Sequence, residues 1–122
     1  MKITKIFFHL INLVFLIFYL YPGSILGFLL YNNFSKQPQV TPDFYFSSNH
    51  VYSFMVLALF GLISHINKKN IIIYFIIISI FLELSHFVIP NRSFQFGDLF
   101  GNILGVLLSI LILKIYNYLE KK

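Results

Sequence analysis

The chain has 122 residues, of which 58% are hydrophobic and only 11% charged, with a formal net charge of +5 and no cysteine. A soluble domain carries roughly 25% charged residues, so this composition excludes a water-soluble globule and points to one domain, 1–122, in a membrane. Lack of Cys excludes disulfides and thiolate metal sites, and the basic residues flank apolar runs, where they act as topology signals and not as a nucleic-acid patch.

Four apolar runs follow one another. Residues 5–21, including IFFHLINLVFLIFYLY, form the first expected span. No small-x-small cleavage site follows its apolar core, so it is read as a span and not as a signal peptide. Pro22-Gly23 should kink or end it, and 24–31 is then a bent continuation or an interfacial piece. Tyr at the run ends can anchor the interface. The polar segment 32–43 contains Pro38 and Pro42 and reads as a loop. The second span is expected over 44–66, and the polar turn HINKKN follows it. The third, 71–89, is rich in Ile, yet a lone strand in lipid would leave its backbone unsatisfied, so it too is a helix. Pro90 ends it. The fourth covers 97–118.

Charge sets the orientation. With the N-terminus inside, Lys2, Lys5, Lys68, Lys69, Lys114, Lys121 and Lys122 are cytoplasmic, and only Lys36 and Arg92 are outside. This obeys the positive-inside rule, and the inverse orientation violates it. The expected fold class is therefore all-α: a polytopic four-helix membrane bundle with both termini in the cytoplasm.

Under that topology the costly residues converge. Glu83 lies about 9 Å below the outer end of the third span, and Asn102 reaches a similar depth in the fourth. Glu83 and His86 share a helix face, as do Asp98 and Asn102. His50, near the outer end of the second span, comes level with them, and Arg92 sits above. Ionisable groups in membrane segments face a bundle interior or a wet cavity and mark candidate sites. His50, Glu83, His86, Arg92, Asp98 and Asn102 are thus the expected ligand-binding set. Gly101 and Gly105 form a G-x-x-x-G pair that allows close helix packing, here expected against the helix that carries Glu83.

These residues carry a resemblance. The pattern E-x-x-Q, then a P-x-R turn, then D-x-x-x-N-x-x-G is the signature of the VanZ-like membrane protein family, and Glu83, Pro90, Arg92, Asp98, Asn102 and Gly105 fill it in order. FSSNHVYSF resembles the family's D-K-x-x-H-x-x-x-aromatic, through His50 and Phe54. Phe46 and Ser47 stand where the Asp-Lys pair is usual, and His86 stands for Gln. The resemblance covers about 46–109. It implies a four-helix bacterial membrane protein whose family founder is tied to teicoplanin resistance.

Each polar residue has a structural and a chemical reading. Glu83 is either a buried acid held by Arg92, His86 or Asn102, or a general base; His86 is the other catalytic candidate. Arg92 either pairs with Asp98 and snorkels, or binds a phosphate or carboxylate through its guanidinium fork. Asp98 is an expected N-cap of the fourth helix or a partner of Arg92. No metal site is expected, since His50, Glu83, His86 and Asp98 span three helices without a tight motif, and no cofactor is implied. His9, Asn12 and His65 are read as structural.

Three functions are compatible with this. The first is an accessory or binding protein of the cytoplasmic membrane, whose partners are membrane lipids and a lipoglycopeptide or lipid-linked cell-wall precursor. The second is a membrane enzyme acting on a lipid-linked phosphate or acyl headgroup; no nucleophile motif such as G-x-S-x-G supports it. The third is a structural clasp between helices. The first ranks above the others.

Overall fold

The structure is a computed structural model and describes residues 2–122. Among the described residues it is all-helical: α1 Lys2–Leu20, α2 Ile25–Tyr31, α3 Ser48–Ser64, α4 Lys68–Ser85 and α5 Phe96–Glu120.

The helix ends follow local chemistry. α1 stops before Pro22-Gly23, and Gly23 has φ 125, a conformation that side chains resist. Segment 24–31 is a discrete helix, α2: Ser24 accepts the Gly27 N–H on its hydroxyl at 2.9 Å, and Asn32 closes the last turn at φ 51. α3 starts at Ser48 and not at 44, because Asp43 Oδ1 accepts the Ser48 N–H at 2.9 Å and the Ser48 hydroxyl donates to Thr41 O at 2.6 Å. That holds 41–47 in a loop. α4 starts earlier than 71, since Asn67 caps it through the Asn70 N–H. It ends at Ser85, where His86, Phe87 and Val88 turn back on Glu83, Leu84 and Ser85 carbonyls before Pro90.

α3 lies at the centre, packed on α1, α4 and α5. Phe8, Phe54, Leu57, Leu62, Phe75, Leu82 and Val106 form the core between them. The expected partner of the glycine face is corrected here. Gly101 and Gly105 pack on α3, not on the Glu83 helix. A Cβ on Gly105 would stand 2.5 Å from Val51 O and 2.8 Å from Met55 N, and one on Gly101 would stand 3.0 Å from Ser47 O. The contact is backbone to backbone, so no side chain can yield to it. Ser47 N–H also donates to Gly97 O at 3.2 Å and joins the N-terminal ends of α3 and α5.

Two helices, Lys2–Leu20 and Phe96–Glu120, are long and apolar enough to cross a membrane. α1 turns Ile3, Phe7, Leu10, Leu13 and Ile17 outward while it gives Phe8 and Tyr19 to the core. A continuous apolar face of that length is uncommon on a soluble monomer.

The α3–α5 contact gives a direct test. Gly105→Ala should lose about 1–3 kcal/mol by forcing the two backbones apart. Leu107→Ala, on an exposed face of the same helix, should change stability by less than ~0.5 kcal/mol. Denaturant unfolding in detergent measures both, and equal stabilities would refute the close contact.

Candidate functional site: a buried tyrosine network beside a polar cavity

The C-terminal ends of α1 and α4 and the N-terminal ends of α3 and α5 meet at the hydroxyl of Tyr19. This phenol stands at the end of an apolar run, where it was expected at most to anchor the interface. Instead it is buried. Its ring stacks on His86, with centroids 4.9 Å apart, and meets Phe54 edge-on.

The hydrogen bonds fix where the protons lie. Tyr19 O–H donates to Glu83 Oε2 at 2.8 Å. Its one proton is then spent, so the oxygen must accept from its other partners. Asn102 Nδ2 donates to it at 3.0 Å. His50 Nδ1, 3.1 Å away, must also carry a proton and donate. His50 is therefore protonated on Nδ1, and its Nε2 faces Asp98 Oδ2 at 3.8 Å.

Glu83 is fully buried. Its Oε1 accepts the Gln95 N–H at 3.0 Å and stands 3.4 Å from His86 Nδ1. The other ring nitrogen of His86, Nε2, is 3.2 Å from the Tyr19 carbonyl and must donate to it. Glu83 is thus held by Tyr19, Gln95 and His86, while Arg92 is engaged elsewhere.

Arg92 closes the C-terminal end of α1. Nε donates to Tyr21 O at 3.1 Å, and Nη2 to Phe18 O at 3.2 Å and Gly23 O at 2.8 Å. These carbonyls have no helical partner of their own and carry the negative end of the helix dipole. The expected Arg92–Asp98 pair does not form: Asp98 Oδ2 stands 3.8 Å from His50 Nε2 instead. Burial pulls the guanidinium pKa down from its ordinary value, and Nη1 stays uncommitted among the described residues. Nor is Asp98 the N-cap of α5. Gln95 takes that place, and Asp98 lies in the first turn, where a carboxylate still meets the positive end of the dipole.

A cavity of about 130 Å³ opens beside the network. Phe15, Phe18 and Leu26 contribute apolar lining, and Tyr19, Asn49, His50, His86 and Arg92 contribute polar lining. A wider hollow shares Gln37 and Arg92 with it and continues over Pro22, Ser24 and Asn91. Of the expected set, His50, His86 and Arg92 line the cavity. Glu83 and Asn102 are fully buried, and neither they nor Asp98 are among its lining residues. His9 and His65 lie far along the bundle, edge to face at 5.6 Å, and Asn12 donates to the Tyr74 hydroxyl at 2.6 Å.

The fold and site define an all-helical membrane-type bundle with an ionisable network at one end. The chain belongs to the VanZ/LLP1 family, whose family model matches residues 3–117. The match extends the resemblance through the first helix, which supplies Tyr19. No curated protein and no solved structure matches the chain.

Replacing Tyr19 tests the network. Tyr19→Phe keeps the ring and strands Glu83, His50 and Asn102, at a cost of about 1–3 kcal/mol. A double-mutant cycle with Glu83→Gln should show a coupling above ~0.5 kcal/mol. Unchanged stability of Tyr19→Phe in detergent unfolding would rule out the network as a structural element.

Proposed function

We propose that the chain is a four-span protein of the bacterial cytoplasmic membrane, with both termini in the cytoplasm, whose outer-leaflet cavity binds the anionic headgroup of an amphiphile. The ligand class is a lipid-linked cell-wall precursor or a lipoglycopeptide, and the role is accessory to envelope assembly or glycopeptide resistance. The observation that carries this reading is the mixed lining of the cavity. Arg92 offers positive charge and an unused N–H edge, His50, His86 and Asn49 add polar surface, and Phe15, Phe18 and Leu26 add apolar surface. Guanidinium suits phosphate and carboxylate, and Nη1 is the edge left to use.

Family membership and the charge pattern support four spans. α3 and α4 have 17 and 18 residues, within the ~17–25 range that crosses a bilayer. Phe60 and Ile63 on α3, and Ile77 and Phe81 on α4, are exposed apolar residues suited to lipid. The Lys68 ammonium also donates to the Leu62 carbonyl across the α3–α4 turn, an arrangement suited to an interfacial lysine.

A second reading, catalysis on a lipid-linked phosphate or acyl headgroup, is favoured by one observation. Tyr19 and His50 reach the cavity and contact Glu83 and Asp98 behind it. The cavity therefore has two carboxylates one residue away, a route by which a general base could act.

Topology is testable because the chain has no Cys. A single Cys at exposed Lys36 should react with a membrane-impermeant maleimide on intact cells, and one at exposed Lys69 should react only after permeabilisation. The reverse pattern would overturn the orientation.

Binding is tested in nanodiscs with decaprenyl phosphate and decaprenol. Saturable binding of the phosphate, at least tenfold tighter than of the alcohol, is expected. Phe18→Ala and Arg92→Lys, checked for folding, should each weaken it severalfold. Equal binding of both lipids would refute a headgroup site, and release of inorganic phosphate would favour the enzyme reading.

A further inference from the structure

The geometry points to a divalent-cation site formed by His50, Glu83 and Asp98, of the kind that takes mixed imidazole and carboxylate ligands, such as Mn²⁺ or Zn²⁺. It stands on the network and not on the proposed amphiphile. Each of the three residues offers one ligand atom, and these atoms all lie within 4.8 Å of one another. Ligands bonded at ~2.1 Å to one ion stand up to ~4.2 Å apart, so a modest inward turn of the carboxylates completes the set. Imidazole with carboxylates suits these metals better than Mg²⁺ or Ca²⁺.

Three further observations favour an ion over a plain hydrogen-bond cluster. The first is the tautomer. His50 Nδ1 donates to the Tyr19 oxygen, which leaves Nε2 free to ligate, and a metal-bound His typically uses its second nitrogen in this way. The second is the spacing. Nε2 and Asp98 Oδ2 are 3.8 Å apart, too far for a hydrogen bond and apt for two ligands that flank an ion. The third is an orphan. Asn102 is fully buried, and its Oδ1 has no hydrogen-bond partner, while its Nδ2 is tied to the Tyr19 hydroxyl within the same group. Glu83 Oε2 accepts a single hydrogen bond, from Tyr19, and keeps a lone pair for the ion. His50 and Asp98, whose side chains are 19% and 18% exposed, give the ion its way in.

The test uses the full chain in detergent, stripped with EDTA and titrated with Mn²⁺ under electron paramagnetic resonance. One Mn²⁺ per chain is expected, with nitrogen modulation in pulsed spectra that changes on ¹⁵N-histidine labelling. Doubling His9→Asn with His65→Asn removes the distant histidine pair and should leave the signal intact. Asp98→Asn and His50→Gln should each weaken Mn²⁺ at least tenfold, and Glu120→Gln should not. Zn²⁺ should displace the bound Mn²⁺. Should either site variant fail to fold, the labelling of the unaltered chain still decides. Absence of a stoichiometric site, or of histidine nitrogen coupling in it, would overturn the proposal.

Discussion

A phenol oxygen buried in an apolar bundle must have its hydrogen bonds made inside the protein, because water is not there to make them. At Tyr19 this requirement ties one end of the bundle together. The hydroxyl gives one hydrogen bond, to Glu83 on α4, and takes two, from His50 on α3 and Asn102 on α5. Four helices are registered on one atom. A shift of α1 by one residue would turn Tyr19 about 100° away from that point and strand three polar side chains at once. The network therefore helps to specify the placement of α1, together with the Asn12–Tyr74 hydrogen bond, the His86 and Arg92 contacts to its last carbonyls and the non-directional packing of Phe8 and Phe15.

The same end of α1 makes the cavity. A helix stopped at Leu20 leaves its last carbonyls open, and Pro22-Gly23 turns the chain into α2. Arg92 reaches from the α4–α5 turn to the Phe18, Tyr21 and Gly23 carbonyls at and just beyond that end, and the same residue lines the cavity. Fixing the guanidinium through Nε and Nη2 removes the freedom that a solvated arginine has. Preorganised donors lose little entropy when an anion arrives. The polar wall is thus a by-product of helix capping put to a second use, and stability and binding at Arg92 cannot be separated by deleting the residue.

Much of the site was legible in the sequence, for a definite reason. Charge asymmetry orders the helices, and helix rise sets depth, so His50, Glu83, His86, Asp98 and Asn102 could be brought to one level without any knowledge of packing. Rotation about each helix axis was less legible. The glycine face was known, but its partner was not, because G-x-x-x-G names a surface and not the neighbour it meets. Arg92 and Asp98 looked paired by charge and proximity, yet the open carbonyls of α1 lie within reach of the guanidinium and carry no sign in the sequence. Tyr19 was missed for the opposite reason. A hydroxyl near an interface is so often an anchor that its burial shows only when four helices close around it. Its level, near that of His50, was the available clue.

His86 shows how one side chain serves two neighbours. Its Nε2 donates to the Tyr19 carbonyl, and its Nδ1 stands 3.4 Å from Glu83 Oε1. In a low-dielectric site an isolated carboxylate is costly, and Glu83 offsets that cost with hydrogen bonds from Tyr19 and the Gln95 N–H, one on each oxygen. Arg92 is therefore not needed to hold Glu83, and its guanidinium is spent on the carbonyls at the end of α1 instead. Asp98, beside His50 and 18% exposed where Glu83 is fully buried, is the more accessible of the two carboxylates.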